Sequence, residues 1–339
     1  MNKKTICCVA GKSGGHIIPC LTIAQNDNKD THTNILFFSA NTPLDKKILA
    51  ENNMVTRHIM LPLSSRAGSC IKLAWHALSS FMLSFFYLCK HKPEKVITTG
   101  GIIAIPTCIA AFILRIPITL YSLDAVPGKA IQALTPLATS IITPFATATH
   151  YFPTQKCSIA PYPIKYQTVT NVTDQRTAQE NLGLSSIKKT LLILGGSQGS
   201  LFLNQCMKQW INDHSFASHD IQIIHQTGSL DDTDWQKLYA SKNITAHVFS
   251  YYPDLALMYA AADLIICRAG AGTLFEIKFF NKQCIIIPLK ATTTTHQVDN
   301  AHALAHEYPE LFYTIAQKDV EEDASLLHDL ILKQLLINK

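Results

Sequence analysis

Four stretches of this chain hold residues fit for chemistry. Residues 11–16 read Gly-Lys-Ser-Gly-Gly-His, a glycine cluster that closes on an imidazole. Residues 195–200 read Gly-Gly-Ser-Gln-Gly-Ser, and Gly100-Gly101 form a shorter turn between them. The stretch 268–276 runs from Arg268 through Ala271, Gly272 and Thr273 to a carboxylate, Glu276. Glycine turns let backbone N–H groups approach an anion, and a following helix N-terminus adds partial positive charge. Such turns suit phosphate groups. An imidazole beside one of them suits general-base work, because its pKa lies near working pH. One glycine turn alone is more simply a tight strand-to-helix connection. Two, one with His16 at its exit and the other with a Ser197-Gln198 pair, favour a ligand.

Two familiar nucleotide motifs are excluded. A P-loop needs a glycine where this chain has Ile6, so Gly11-Lys12-Ser13 lacks the mouth of that loop. A dinucleotide fold needs G-x-G-x-x-G and an acid at the end of the second strand. Neither turn has that spacing, and the second apolar run ends in Ser39 and Ala40. Hydride transfer and Walker-type hydrolysis are therefore poor readings.

The elements that position these turns follow from the hydrophobic pattern. Residues 4–10, 33–40, 94–100, 116–122 and 139–144 read as strands separated by helical segments. The series restarts at 188–200 and continues through 221–228, 244–252, 262–270 and 283–289. Alternating strands and helices predict parallel sheets covered on both faces. The fold class is α/β: two Rossmann-like, doubly wound domains in tandem, facing across a cleft. The expected domains are 1–164 and 165–323, with a last helix at about 324–339 packing back on the first. Both glycine-rich turns fall at the carboxyl end of a first strand, where open parallel sheets bind ligands.

The 339 residues are 47% hydrophobic and 16% charged, which is a core-forming composition. A net charge of +5 without a basic stripe argues against nucleic acid as a partner. The ten cysteines include no C-x-x-C pair and read as reduced and buried, with no metal site. The start shows no signal peptide. Two apolar stretches have the length of a membrane span. Residues 102–121 contain Pro106, Arg115 and Pro117, so a buried helix and a strand explain them better. Residues 70–89 read as a helix with an apolar outer face, suited to contact with a membrane interface.

Taken in order, these motifs resemble a known family. GKSGGHIIP is similar to its GGTGGHxxP turn, GGIIAIP (100–106) to GGYxSxP, and GGSQGS (195–200) to GGSQGA. LIICRAGAGTLFEI (264–277) resembles CRAGAxTxxE, and HQVDNA (296–301) resembles HQxxNA. The family is the MurG family of UDP-N-acetylglucosamine transferases, whose fold is GT-B. The resemblance runs from about residue 4 to the C-terminus. It implies an inverting transfer of N-acetylglucosamine from UDP to the muramic 4-hydroxyl of lipid I, forming lipid II. Expected partners are UDP-GlcNAc, the undecaprenyl-diphosphate-linked lipid I and the cytoplasmic face of the inner membrane. No cofactor is required for such a displacement, and whether Mg²⁺ assists is left open.

The resemblance also assigns residues. His16 matches the histidine proposed as general base. Gly11, Gly14 and Gly15 with Gly100 and Gly101 would cradle the acceptor diphosphate, with Lys12 adding charge. Ser13, Gly14 and Gly15 would also reach the donor. On the donor side, Gly195, Gly196, Ser197, Gln198 and Gly199 would meet diphosphate and sugar. Ala271, Gly272 and Thr273 would open a helix beneath the phosphates, and Glu276 would accept hydrogen bonds from the ribose. Tyr252 falls where backbone atoms read uracil. His296 and Gln297 would contact sugar hydroxyls, while Asn300 and Arg268 fit either a site or a structural role.

The chain departs from the pattern mainly on the acceptor side. An HEQN loop is here Tyr121-Ser122-Leu123-Asp124, so Asp124 replaces an asparagine or acts as a second candidate base. Lys165, expected to bind the donor, stands for an arginine and loses its bidentate phosphate geometry; on the acceptor side Lys12 stands for a glycine and Ile102 for a tyrosine. Two rival readings follow: a GT-B transferase with another lipid acceptor, and a non-catalytic UDP-sugar binder in wall synthesis.

Overall fold

The computed structural model describes residues 4–11, 14–27, 33–50, 55–63, 69–167, 172–196, 199–213, 220–289 and 295–337. The chain divides into two compact units, Met1–Lys165 and Tyr166–Lys339. Lys165 thus closes the first unit.

In the first unit the order is β1 (Thr5–Val9), α1 (Gly14–Asp27), β2 (Asn34–Ala40), α2 (Pro43–Ala50), β3 (Val55–Leu61) and α3 (Cys70–His91). It continues with β4 (Val96–Thr98), α4 (Ala104–Ile113), β5 (Ile118–Tyr121), α5 (Lys129–Leu134), β6 (Ser140–Thr143) and β7 (Cys157–Ile159). The sheet is parallel, ordered β3-β2-β1-β4-β5-β6-β7. In β1 every residue after Thr5 is buried, the mark of a strand covered on both faces. Ile6, Cys8, Ile17, Ile23, Phe37 and Ile97 join one core between this sheet and α1.

The second unit holds α6 (Gln175–Asn181), β8 (Lys189–Leu194), α7 (Leu201–Asp213), β9 (Ile221–Gln226), α8 (Trp235–Ser241), β10 (Ala246–Phe249) and α9 (Ala256–Ala261). It ends with β11 (Leu264–Cys267), α10 (Ala271–Phe279), β12 (Gln283–Ile286), α11 (His296–Glu307), β13 (Phe312–Thr314), α12 (Gln317–Glu322) and α13 (Ser325–Ile337). Its sheet is ordered β10-β9-β8-β11-β12-β13, again parallel.

The last helix, expected at about 324–339, is present as α13 and packs into the second unit. Leu327, Ile331 and Leu335, spaced by four, face one way and enter the second unit's core beside Leu191, Trp210 and Ile266. His328 stacks on Trp210 with ring centroids 5.8 Å apart.

The helix α3 buries only Ser80, Ser84 and Leu88. Ser69 caps it by accepting from Lys72 N, and Lys92 ends it in the left-handed region at φ 44°. The two buried serines have partners: Ser80 Oγ accepts from Leu63 N at 3.0 Å, and Ser84 Oγ meets Thr107 Oγ1 of α4 at 2.9 Å. Ile71, Trp75, Leu78, Met82 and Phe86 form an exposed stripe at helical spacing. The expected helix over 70–89 is present, and its outer face is apolar.

Candidate functional site

Strand order decides where each unit can bind. In both sheets the first strand sits between the second and the fourth, so the chain reverses its winding there. Open parallel sheets take ligands at the carboxyl ends of such strands. In the first unit these ends are the turns after β1, β4 and β5. They carry Gly11 to His16, Gly100-Gly101 and Asp124 respectively. The structure thereby places most of the expected acceptor residues along three adjacent strand ends.

The β1 and β4 turns are tied together. Thr98 Oγ1 donates to Val9 O at 2.8 Å and accepts from Gly100 N at 3.0 Å. Thr99 Oγ1 donates to His16 O at 2.9 Å, fixing the backbone of the imidazole from the neighbouring strand end. Gly100 and Gly101 take φ of 100° and 87°, which only glycine adopts without strain. Gly11 lies against Ala40 and Asp45. Gly14 and Gly15 open α1, whose first turn has no acid. Pro19 supplies no N–H for the Gly15 carbonyl. His16 is half-buried, as is Asp124 in the loop beyond β5. Lys12 and Ser13 lie outside the described residues.

In the second unit the corresponding ends are the turns after β8, β9, β11 and β12. Gly195 is held in place by contact: a Cβ there would stand 2.4 Å from Ser200 N. Gly196, at φ 85°, has nothing within 4 Å of its missing Cβ, so the loop opens there. The β8 turn closes with Gly199 N donating to Gly196 O at 3.0 Å. Ser197 and Gln198 lie outside the described residues. Helix α10 begins after Gly270 with no side-chain cap and no acid in its first turn. Its first N–H groups, from Ala271, Gly272 and Thr273, have no carbonyl inside the helix and point out of its end.

Glu276 is half-buried, and Tyr259 OH donates to its Oε2 at 2.9 Å. Burial, then the carboxylate, push the Tyr259 phenol well above its ordinary range. Arg268 proves to be a frame residue: Nε donates to Ser200 Oγ at 3.1 Å and Nη1 to Ile287 O at 3.0 Å. Its guanidinium lies 5.0 Å from the Phe202 ring centroid, and burial lowers its pKa. Gln297 also works on the frame. Its Oε1 accepts from Leu289 N at 2.9 Å and Ala269 N at 3.3 Å, joining the ends of β11 and β12. Buried Asn300 donates to Ala269 O at 3.4 Å. His296 starts α11, and Tyr252 is an exposed side chain in the stretch after β10.

Several residues that shape this edge carry no motif. Asn204 of α7 donates to Thr227 O at 3.0 Å and to Asp231 Oδ2 at 2.7 Å. Its Oδ1 meets His225 Nε2 at 3.2 Å, and Tyr239 OH meets His225 Nδ1 at 2.9 Å. Burial drives His225 down to about 3, so it is neutral. Asp231 is raised by burial, but bonds from Thr233, Asn204 and Trp235 outweigh that and hold it at about 2. This network fixes the Thr227–Gly228 backbone, against which Gly199 packs. A buried histidine and asparagine in apolar runs look like ordinary core in sequence.

A cavity of about 530 Å³ lies elsewhere, lined by Phe112, Arg115, Pro117, Leu137, Thr139 and Lys156 among others. These residues precede β5, β6 and β7, so it opens at the amino ends of the strands, away from the turns above. Among the described residues no group of three His, Cys, Asp or Glu side chains could hold a metal ion.

Two parallel Rossmann-like units, each with glycine turns at its switch point, define the class: a GT-B glycosyltransferase. Residues 6–143 match the glycosyltransferase family 28 N-terminal domain, and 190–336 its C-terminal domain. A UDP-N-acetylglucosamine–N-acetylmuramyl-(pentapeptide) pyrophosphoryl-undecaprenol N-acetylglucosamine transferase of Halothermothrix orenii is 32% identical, with 87% of this chain and 81% of the relative covered. One of the same description from Protochlamydia amoebophila is 31% identical, with 86% and 78% covered. The crystal structure of Acinetobacter baumannii MurG superposes with a TM-score of 0.74 at 25% identity, covering 98% of this chain and 92% of that one. The chain belongs to this family of N-acetylglucosamine transferases.

Proposed function

We propose that this chain transfers N-acetylglucosamine from UDP-GlcNAc to the muramic 4-hydroxyl of lipid I, forming lipid II. The observation that carries the donor half is the carboxyl edge of β8 and β11. An open glycine loop, an uncapped helix end and a tethered carboxylate stand there together. Phosphates would take the N–H groups of the loop and of Ala271 to Thr273, with Ser197 and Gln198 adding side-chain donors. Glu276 would accept from the ribose hydroxyls. Tyr252's backbone would read uracil, while His296 and Gln297 would meet the sugar.

In the first unit, His16 would take the proton of the acceptor hydroxyl as its oxygen attacks the anomeric carbon. The bond to UDP breaks from the opposite face, so configuration inverts in one step. Fixed N–H donors stabilise the departing diphosphate. The turns holding Gly11, Gly14, Gly15, Gly100 and Gly101 would bind the acceptor diphosphate, with Lys12 as counter-charge. Asp124 is the second candidate base, while Lys165 would contact the phosphates of the donor.

The acceptor's lipid would bring the enzyme to the cytoplasmic face of the membrane. The exposed stripe Ile71, Trp75, Leu78, Met82 and Phe86, with Lys72, Lys90 and Lys92 beside it, supports docking there. Purified protein given labelled UDP-GlcNAc and lipid I tests the reading directly. Lipid II should form, and His16→Ala should lower kcat on the order of a hundredfold. UDP-GlcNAc binding without product would overturn the reading.

A further inference from the structure

We propose that Tyr259 is a positioning residue for donor recognition: its hydroxyl orients the Glu276 carboxylate so that the ribose diol of a uridine diphosphate sugar is gripped. The inference rests on the reading above that Glu276 takes the ribose.

Tyr259 lies on α9 and is fully buried, so its hydroxyl needs an internal partner. That partner is Glu276 Oε2, on α10, at 2.9 Å. The phenol is held well above its ordinary pKa by burial and by the carboxylate, and so remains a donor throughout the working range. Its ring is held on two sides. Phe280 stacks on it with centroids 5.2 Å apart, and Tyr166 meets it edge-on at 6.3 Å. Tyr166 is itself stacked on Phe279 and packed edge-on against Phe280. Its OH donates to Asp254 Oδ1 at 3.0 Å and accepts from Leu255 N at 2.9 Å.

One aromatic block therefore fixes two things. Through Tyr166 it anchors residues 254–255, which follow the stretch assigned to uracil. Through Tyr259 it anchors the carboxylate assigned to ribose. A glutamate on a half-open helix face has several rotamers, and gripping a diol would freeze them. One already tied by a neutral donor has less freedom to lose, and binding gains the difference. Each carboxylate oxygen can accept more than one hydrogen bond, so the tether does not use up Oε2.

Tyr259→Phe removes one oxygen and keeps the ring stack. With UDP-GlcNAc varied, its KM should rise about fivefold to tenfold while kcat stays within about twofold. Wild-type preference for UDP-GlcNAc over its 2′-deoxyribose analogue should fall by a similar factor. Added to Glu276→Gln, the same change should do nothing further. Thr190→Val, which loses a buried hydroxyl bonded to Gln179 and Gln222 at the amino end of β8, is the control and should leave KM unchanged. All variants are assayed below their melting midpoints. If Tyr259→Phe leaves KM and ribose preference intact while Glu276→Gln abolishes that preference, the positioning role is overturned and the ribose reading stands. If Glu276→Gln itself leaves ribose preference unchanged, the ribose reading fails and takes this inference with it.

Discussion

At the scale of single residues, the glycines of the β8 turn separate packing from binding. A Cβ at Gly195 would meet backbone atoms of Ser200 and Gly199, which have no rotamer to yield with. Gly195→Ala should therefore destabilise the chain by about 2–3 kcal/mol, read as a lower melting midpoint. Gly196→Ala meets no atom within 4 Å and incurs only the strain of a left-handed backbone, about 1 kcal/mol. Its main defect should be weaker UDP binding by calorimetry, because the new methyl projects from the open side of the loop. A second residue-scale prediction concerns His225. Its folded pKa, about 3, is below its ordinary 6.5, so the unfolded chain takes the proton first. The stability this group contributes is complete above about pH 6.5 and is lost as pH falls towards 3. Between pH 6.5 and 5 the loss should be about 2 kcal/mol, at about 1.4 kcal/mol per unit. His225→Asn is less stable at neutral pH but should lack that part of the acid slope. Denaturant titrations of both proteins at several pH values measure the difference; equal slopes would show that His225 does not titrate this way.

At the scale of elements, the motif-bearing turns were legible because glycine, helix start and strand end leave marks in composition. β1, β2 and β8 are unbroken apolar runs bounded by such turns, and they appear where the pattern puts them. β3, β7 and β13 escaped for a physical reason. β3 and β7 are lined with exposed residues such as Met60 and Ile159, and β13 has three residues. Short or half-exposed strands show no sustained period. The last helix shows the limit more clearly. The spacing of Leu327, Ile331 and Leu335 announces a buried face, but no local pattern says which core receives it. Tyr259 was likewise invisible, since its chemistry depends on Glu276, seventeen positions along. Helix α3 gives this scale its prediction. Its stripe leaves Trp75 68% and Phe86 57% exposed, and burying each in a bilayer interface would contribute roughly 1.5–3 kcal/mol. Trp75→Glu with Phe86→Glu should reduce sedimentation with phosphatidylcholine–phosphatidylglycerol vesicles at least about tenfold. Transfer to a water-soluble, short-chain acceptor should be unaffected. Unchanged sedimentation would place membrane contact on another surface.

At the scale of the whole molecule, two core clusters among the described residues share no member. One gathers Ile6, Ile17, Phe37 and Ile97; the other gathers Leu191, Trp210, Tyr239, Ile266 and Ile331. Each unit has its own closed set of parallel strands, and 165–174 residues suffice for an independent core. Residues 166–339 made alone should therefore fold and bind UDP with an affinity within about threefold of the full chain. The cut must spare Tyr166, whose ring completes the cluster with Tyr259, Phe279 and Phe280. It must also spare α13, because without Leu327, Ile331 and Leu335 the indole of Trp210 loses its cover. A fragment ending at residue 324 should melt well below the longer one and expose Trp210 to quenching by iodide. Residues 1–165 alone should retain vesicle binding and show no UDP binding. Neither fragment should transfer sugar, since the candidate base lies in one and the donor turns in the other. Calorimetry of the three proteins decides the matter: a second unit that fails to fold without the first would mean that the two cores are not independent.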